Sequence, residues 1–266
     1  KEFYLSENHV EQRRGRDFFK DGYYQIGQIK FPLMDSFSEM TLRNGIYWDT
    51  FCSYVYFNDK YDEKTHDICK SFSPEGPYGL VNDKVNVTVN PGDIVIDAGA
   101  WIGDFAAYAS VRGGVTYAFE PISETFEYLK QTAALNKNII PVKKGLSNEN
   151  ISANASINGT GSAITKTGNA DNTGNNTETV EVVRLDDFVR ENNLERVDFI
   201  KADIEGFERY MLEGAQETLK RFAPKLALST YHLPDDPEVM ASLILKANPR
   251  YNIVQKRMKL FASVPN

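Results

Sequence analysis

The sequence predicts an α/β fold: a mostly parallel sheet with a C-terminal antiparallel hairpin, preceded by a mainly helical N-terminal extension. Three observations lead there. Beyond about residue 80, short apolar runs alternate with amphipathic stretches. The last two runs are joined tightly, as in a hairpin. Residues 1–80 differ, holding long mixed segments rich in Tyr, Phe and charge.

The runs Asp93–Asp97, Val115–Phe119, Ile139–Val142, Val197–Ala202 and Lys225–Thr230 are too short for helices and read as buried strands. Between them, Ile122, Phe126, Leu129 and Ala133 recur at helical spacing, with Ser123 placed to cap the helix. Phe207, Met211, Leu212, Ala215 and Leu219 repeat that pattern after Gly206. Strands alternating with helices form βαβ units and a parallel sheet. Tyr251–Lys256 and Lys259–Val264 close the chain as a hairpin at a sheet edge. Residues 147–179, crowded with Asn, Gly, Ser and Thr, interrupt the rhythm and read as a hairpin insertion with a flexible tip, the α/β pattern resuming at Val180. Two units follow: an extension over 1–80, helical from Phe37 to Phe72, and a ligand-binding domain over 81–266.

Composition bounds the function. With 41% hydrophobic and 25% charged residues in 266, the chain can bury a core and is not disordered throughout. A net charge of −7 argues against a sequence-independent grip on nucleic acid, and Arg13, Arg14 and Arg16 read as a solvated helix face. No stretch approaches the ~20 apolar residues that span a bilayer. Cys52 and Cys69 give neither a metal spacing nor a disulfide framework, so a cytoplasmic location is expected. No signal peptide is visible, although the chain opens on Lys1 rather than Met. Asn-x-Ser/Thr triplets at Asn86, Asn150, Asn154, Asn158 and Asn175 mostly reflect the Asn-rich tract.

The stretch from Asp93 to Phe105 carries most information. A strand ends at Asp97, a turn passes Gly99 and Ala100, and a helix starts near Gly103. Gly99 lets the backbone approach a ligand, and the helix start offers unpaired N–H groups. A dinucleotide site requires Gly-x-Gly-x-x-Gly, but Trp101 stands where its second glycine belongs, which argues against a nicotinamide-dependent oxidoreductase. Glu120, at the tip of the second strand, follows Gly99 at close to the ~20 residues expected of an acid that accepts ribose hydroxyls.

Asp97-x-Gly-x-x-x-Gly103 resembles the first motif of S-adenosylmethionine (SAM) methyltransferases. Together with Tyr117-Ala-Phe-Glu-Pro, Leu185-Asp-Asp-Phe, Ile200-Lys-Ala-Asp-Ile-Glu-Gly-Phe-Glu208 and Ser229-Thr-Tyr-His-Leu-Pro-Asp-Asp236, it resembles the FkbM family over roughly residues 75–264. The resemblance implies a class I methyltransferase (Rossmann-like) fold, SAM as donor and an O-methylated product on a sugar or other small acceptor. It implies cofactor contacts from Asp97, Gly99, Ala100, Gly103 and Glu120. It also implies that Ile122 and the turn Gly145–Ser147, with Leu146 at its centre, border the adenine.

Methyl transfer to a hydroxyl needs alignment and a group to take the proton. Asp203, Glu205 and His232 all follow strand ends and should share the crevice with Gly99. His232 is the expected base, since an unperturbed imidazole titrates near neutrality. Asp203 and Glu205 would shape the same pocket, or cap the helix starting near Gly206; His232 would otherwise bond Asp235 or Asp236. The three groups would also suit Mg²⁺, although the spacing does not demand it. Glu75-Gly-Pro-Tyr78 would place an aromatic over the methionine end of SAM, or form an ordinary turn. The aromatics of the N-terminal segment would cover the acceptor site, pack a homodimer interface or fill a core. A catalytically inactive SAM-binding subunit is the alternative to an enzyme.

Overall fold

The computed structural model of the chain describes residues 19–20, 23–26, 28–32, 77–157, 163–165 and 177–265. Seven strands form the central sheet in the order β15-β16-β14-β13-β6-β7-β8. They are β6 (Ile94–Ala98), β7 (Val115–Phe119), β8 (Ile139–Val142), β13 (Phe199–Ala202), β14 (Lys225–Ser229), β15 (Asn252–Lys256) and β16 (Lys259–Ser263). The first five are parallel neighbours. Strand β16 pairs antiparallel with both β14 and β15, so the terminal hairpin folds its second arm inside the sheet.

Alternation along each strand sorts side chains onto two faces. Val95, Phe199, Ala227 and Phe261 point to a core built with α1 (Asp104–Val111) and with Leu129 of α2 (Ser123–Leu135). Ile96, Ile200, Leu226, Leu228 and Leu260 point to a core built with α3 (Leu185–Glu191), α4 (Glu208–Glu213), α5 (Gln216–Phe222) and α6 (Asp236–Ala247). The result is a three-layer α/β/α sandwich of the Rossmann-like class. The chain steps outward from β6 through β7 to β8, then returns to β13 on the other side of β6. That reversal places a crevice at the carboxyl ends of β6 and β13, where open α/β sheets hold their ligands.

Several local expectations change. The helix pattern after Gly206 is two helices broken at Gly214. Ser123 does not cap α2: the cap position is Ile122, and Ser123 gives its N–H and hydroxyl to Glu178. Asp186, in the Leu-Asp-Asp-Phe motif, caps α5 from another helix by accepting N–H bonds from Glu217 at 3.1 Å and Thr218 at 2.8 Å. Over 147–179 the structure has a hairpin of β10 (Ile151–Ser156) and β12 (Thr177–Arg184), flanked by β11 (Ala163–Thr165) and β9 (Gly145–Ser147). Within the expected flexible excursion over residues 158–177, Ala163–Thr165 is strand paired with β10, and residues 158–162 and 166–176 lie outside the described residues. So do Phe37–Phe72, Cys52 and Cys69. What is described of the extension is strand, not helix: β1 (Phe19–Lys20), β2 (Tyr23–Ile26) and β3 (Ile29–Pro32) form an antiparallel meander. Ile29 and Phe31 are buried in the α1–α2 core, and Asn136 bonds both main-chain groups of Lys30. A two-stranded ribbon, β4 (Leu80–Val81) and β5 (Asn86–Val87), leads into the sheet. No helix among the described residues is long and apolar enough to cross a membrane.

Gly214, at the break between α4 and α5, lets β9 approach the helix closely. A Cβ there would lie 2.1 Å from the carbonyl oxygen of Ser147 on β9. Gly214→Ala should therefore cost about 1–3 kcal/mol through forced separation of α4 from β9. Urea unfolding followed by circular dichroism should show a lower midpoint at unchanged slope.

Candidate active site

The glycine loop is held from beneath. Asp97 and Lys201 are direct neighbours across β6 and β13, and both are buried. Their charges meet at 3.1 Å, and the Lys201 ammonium also donates to the carbonyl of Gly99 at 2.6 Å. Burial pushes the Asp97 carboxyl up to about 6, with Lys201 holding it below neutrality. Burial works against the Lys201 charge, but Asp97 keeps its pKa above the ordinary lysine value. Asp97 is 0% exposed, so in this structure it fixes the loop rather than lining the crevice.

The loop is tightly folded. Gly99 and Ala100 both donate to the carbonyl of Phe119 at the end of β7. A Cβ on Gly99 would lie 1.9 Å from the Asp203 carbonyl oxygen, which shows how closely the loop approaches β13. Gly103 has φ +88°, and a Cβ there would meet Leu129 of α2 at 2.8 Å, so its role is helix packing. Trp101 has φ +48°, a left-handed conformation that costs a non-glycine residue roughly 1–2 kcal/mol. Such strain clusters at functional sites.

Glu120 spans this loop and the next helix. Its carboxylate accepts the N–H of Trp101 at 3.0 Å and of Ile122 at 2.9 Å. Burial raises its pKa to about 7 despite those bonds. Each carboxylate oxygen has a further lone pair, so a pair of vicinal hydroxyls suits it. A buried acid at a strand tip beside a glycine turn fits the ribose and methionine portions of SAM. The two residues expected to border the adenine are both buried. Ile122 packs under Ala153, Val180 and Val182 of the insertion, and Leu146 packs among core residues such as Ile96 and Phe119. Neither presents an open apolar face for a base ring.

Asp203, Glu205 and His232 do come together. The His232 Nε2 lies 3.6 Å from Asp203 and 3.4 Å from Glu205. Glu205 has φ +54° and is followed by Gly206 at φ +93°, so the turn lifts its side chain beside the imidazole. Neither acid caps α4. No side chain does: the cap position is Phe207, and Glu208 instead closes the turn before the helix by accepting the N–H of Ile204 at 2.8 Å and of Gly206 at 3.0 Å. Glu208 is wholly buried and also faces the His232 Nδ1 at 3.1 Å. Sequence reasoning passed over Glu208, although it closes the Lys-x-Asp-x-Glu-Gly-x-Glu element. An acid three residues after Glu205 at a helix start was the available signal. Asp235 and Asp236 are engaged by Arg209 rather than by His232.

These neighbours change the histidine. Burial alone would lower its pKa, but Glu205, Glu208 and Asp203 carry it up to about 10. At neutral pH the ring is an imidazolium, so the ordinary pKa that recommended His232 as a base does not survive the fold. Asp203 is held below the usual carboxylate range: burial opposes its charge, but Lys201, Lys259 and the Tyr78 hydroxyl favour it. Tyr78 donates to Asp203 at 2.5 Å and contacts Phe105 edge-on, so it is buried beneath the crevice and not a lid over it. Asp203, Glu208 and His232 each offer an atom within 4.8 Å of the others, a spacing that could hold a cation. Both Glu208 oxygens are also engaged by backbone N–H groups.

Two measurements test this electrostatic reading. Lys201→Met leaves Asp97 buried without its partner and should cost about 3–5 kcal/mol of stability, with much of the loss recovered in Asp97→Asn/Lys201→Met. Denaturant titration of both variants decides it. Because the His232 pKa is raised from 6.5 to about 10, its stabilising pairing is complete below pH 6.5 and is lost as pH rises toward 10. The gap in urea midpoint between wild type and His232→Asn should narrow across that window.

Comparison with known proteins now adds the family. The sequence model described as the methyltransferase FkbM domain matches residues 97–251, more than half of the 266. The hexuronic acid methyltransferase AglP of Haloferax volcanii is 26% identical over 156 residues, covering 58% of this chain. The chain spans 62% of that relative's length. Among solved structures, the methyltransferase FkbM of Methylobacillus flagellatus KT is 24% identical with a TM-score of 0.47, over 64% of this chain and 43% of that one. The Aeropyrum pernix fibrillarin, solved with natively bound SAM, is 14% identical with a TM-score of 0.43, over 68% and 70%. On the match over residues 97–251, this chain belongs to the FkbM family of SAM-dependent methyltransferases.

Proposed function

We propose that the chain transfers a methyl group from SAM to a hydroxyl of a sugar or similar small acceptor. The observation that carries this reading is the cluster of carboxylates around His232 beside the glycine loop. SAM supplies an electrophilic methyl on a sulfonium, so the protein has to align a hydroxyl and receive its proton. The relative whose name specifies a hexuronic acid supports a sugar acceptor.

Roles follow from the surroundings of each group. Asp203 already accepts from Tyr78 and from Tyr231, and its lowered pKa makes it a weak base. Its part is to orient the acceptor hydroxyl. Glu205, lifted by its left-handed backbone and partly exposed, receives the proton. The His232 imidazolium holds the two carboxylates together and offsets their charge. Glu208 keeps that ring in place through Nδ1. Glu120 accepts the ribose hydroxyls from the opposite side of the loop.

The test is a transfer assay with hexoses, hexuronic acids and small hydroxylated compounds, read by mass spectrometry for S-adenosylhomocysteine and methylated product. Glu205→Gln should lower turnover by ~10²–10⁴, the usual worth of a general base, with SAM affinity little changed. Glu120→Ala should instead weaken SAM binding by ~1.5–3 kcal/mol in calorimetry. Retained turnover in Glu205→Gln would move the proton to another group. Wild-type protein that binds SAM yet methylates no hydroxyl would be a binding subunit. Activity abolished by a chelator and restored by Mg²⁺ would make the acids metal ligands.

A further inference from the structure

Large apolar side chains exposed among the described residues are few, and three of them lie just after β14 or in the turn that is hydrogen-bonded to that segment. Tyr231 is 39% exposed, Leu233 37% and Met258 40%. Tyr231 and Leu233 follow β14, and Met258 lies in the tight turn between β15 and β16. A hydrogen bond from the Thr230 N–H to the Met258 carbonyl, at 2.9 Å, ties the two segments together. The remaining exposed apolar residues (Val81, Val111, Ile140 and Leu245) belong to other parts of the fold.

Tyr231 is also fixed in orientation. Its hydroxyl donates to Asp203 Oδ1 at 3.3 Å, and its ring lies 4.1 Å from the His232 ring at an interplanar angle of 42°. One edge of the tyrosine thus reaches into the carboxylate cluster while much of the ring meets solvent. A hydroxyl brought to Asp203 Oδ1 would arrive beside the Tyr231 ring.

We infer that Tyr231, with Leu233 and Met258 beside it, is the platform on which the acceptor's pyranose ring stacks. This inference rests on the proposed O-methylation and specifies its substrate class. A pyranose is amphipathic in the manner such a platform requires. Its axial C–H groups form a weakly positive apolar face that suits the negative face of an aromatic ring. Its hydroxyls project from the rim of the sugar, where the carboxylates can accept them. A purely apolar acceptor would leave Asp203 and Glu205 unpaired. A linear polyol has hydroxyls but no flat C–H face, and gains nothing from the aromatic.

Saturation-transfer NMR on protein loaded with S-adenosylhomocysteine tests this directly, with methyl hexopyranosides and methyl hexuronosides as probes and mannitol as the acyclic control. The strongest saturation is expected on C–H protons of one ring face, and none on mannitol. Tyr231→Phe keeps the ring and should retain pyranoside binding, whereas Tyr231→Ala should weaken it about tenfold. Met258→Asn should weaken it less, and circular dichroism confirms that each variant is folded. Equal binding by Tyr231→Ala and wild type, mannitol binding like the pyranosides, or no saturation of ring protons would overturn the platform. The two readings fail separately. Pyranosides that bind through Tyr231 but accept no methyl group refute the transfer reading alone. Sugar methylation with an unchanged acceptor KM in Tyr231→Ala refutes the platform alone.

Discussion

Asp97 and Lys201 stand side by side on β6 and β13, shut away from water, and each keeps its charge because the other is there. Moving an ion pair out of water is expensive, and the cost is met only where further hydrogen bonds complete the arrangement. Here they do, because the Lys201 ammonium also binds the Gly99 carbonyl. The pair therefore fixes the height at which the chain leaves β6. The left-handed turn at Trp101, the two N–H bonds onto Glu120 and the close approach of Gly99 to Asp203 all depend on that height. The glycine loop and the cluster around His232 are thus built beside one buried contact, and a change at Lys201 reaches both.

The acceptor side follows a different electrostatic logic. Asp203, Glu205 and Glu208 would repel one another if left alone, and His232 resolves this by staying protonated among them. Glu208 does two tasks at once: it closes the turn of residues 204–206 through backbone N–H groups and positions the imidazole. The turn that carries Glu205 is strained, and the Glu208 carboxylate beneath it is what keeps that backbone in place. Strain, charge and position are coupled in a few residues between β13 and α4.

Much of this was legible in the sequence. Val115–Phe119 and Ile139–Val142 were located to the residue, and the other sheet strands to within two residues at either end, since short apolar runs between turns have few other readings. The tight turn at Gly99, the place of Glu120 at the tip of β7 and the convergence of Asp203, Glu205 and His232 also followed from strand ends. What did not follow depends on three-dimensional neighbours. A histidine's protonation is decided by charges distant in sequence, here Glu205, Glu208 and Asp203 around His232, and the sequence does not show that they meet there. Ile122 and Leu146 are apolar, and sequence alone cannot say whether an apolar side chain lines a crevice or fills a core. The break at Gly214 was hidden because both halves of the helix pattern keep the same apolar face.

The position of β16 has a consequence for how the chain is made. This strand is inserted between β14 and β15 and is fully buried, yet it belongs to the last-synthesised part of the described sheet. Until it emerges from the ribosome, β14 presents an unpaired edge carrying Leu226, Ala227 and Leu228. Such an edge is a template for pairing with other chains. Pairing of β16 with β14 removes that edge, so the last hairpin seals the sheet. The same strand brings Lys259 to the buried side of Tyr78, next to Asp203.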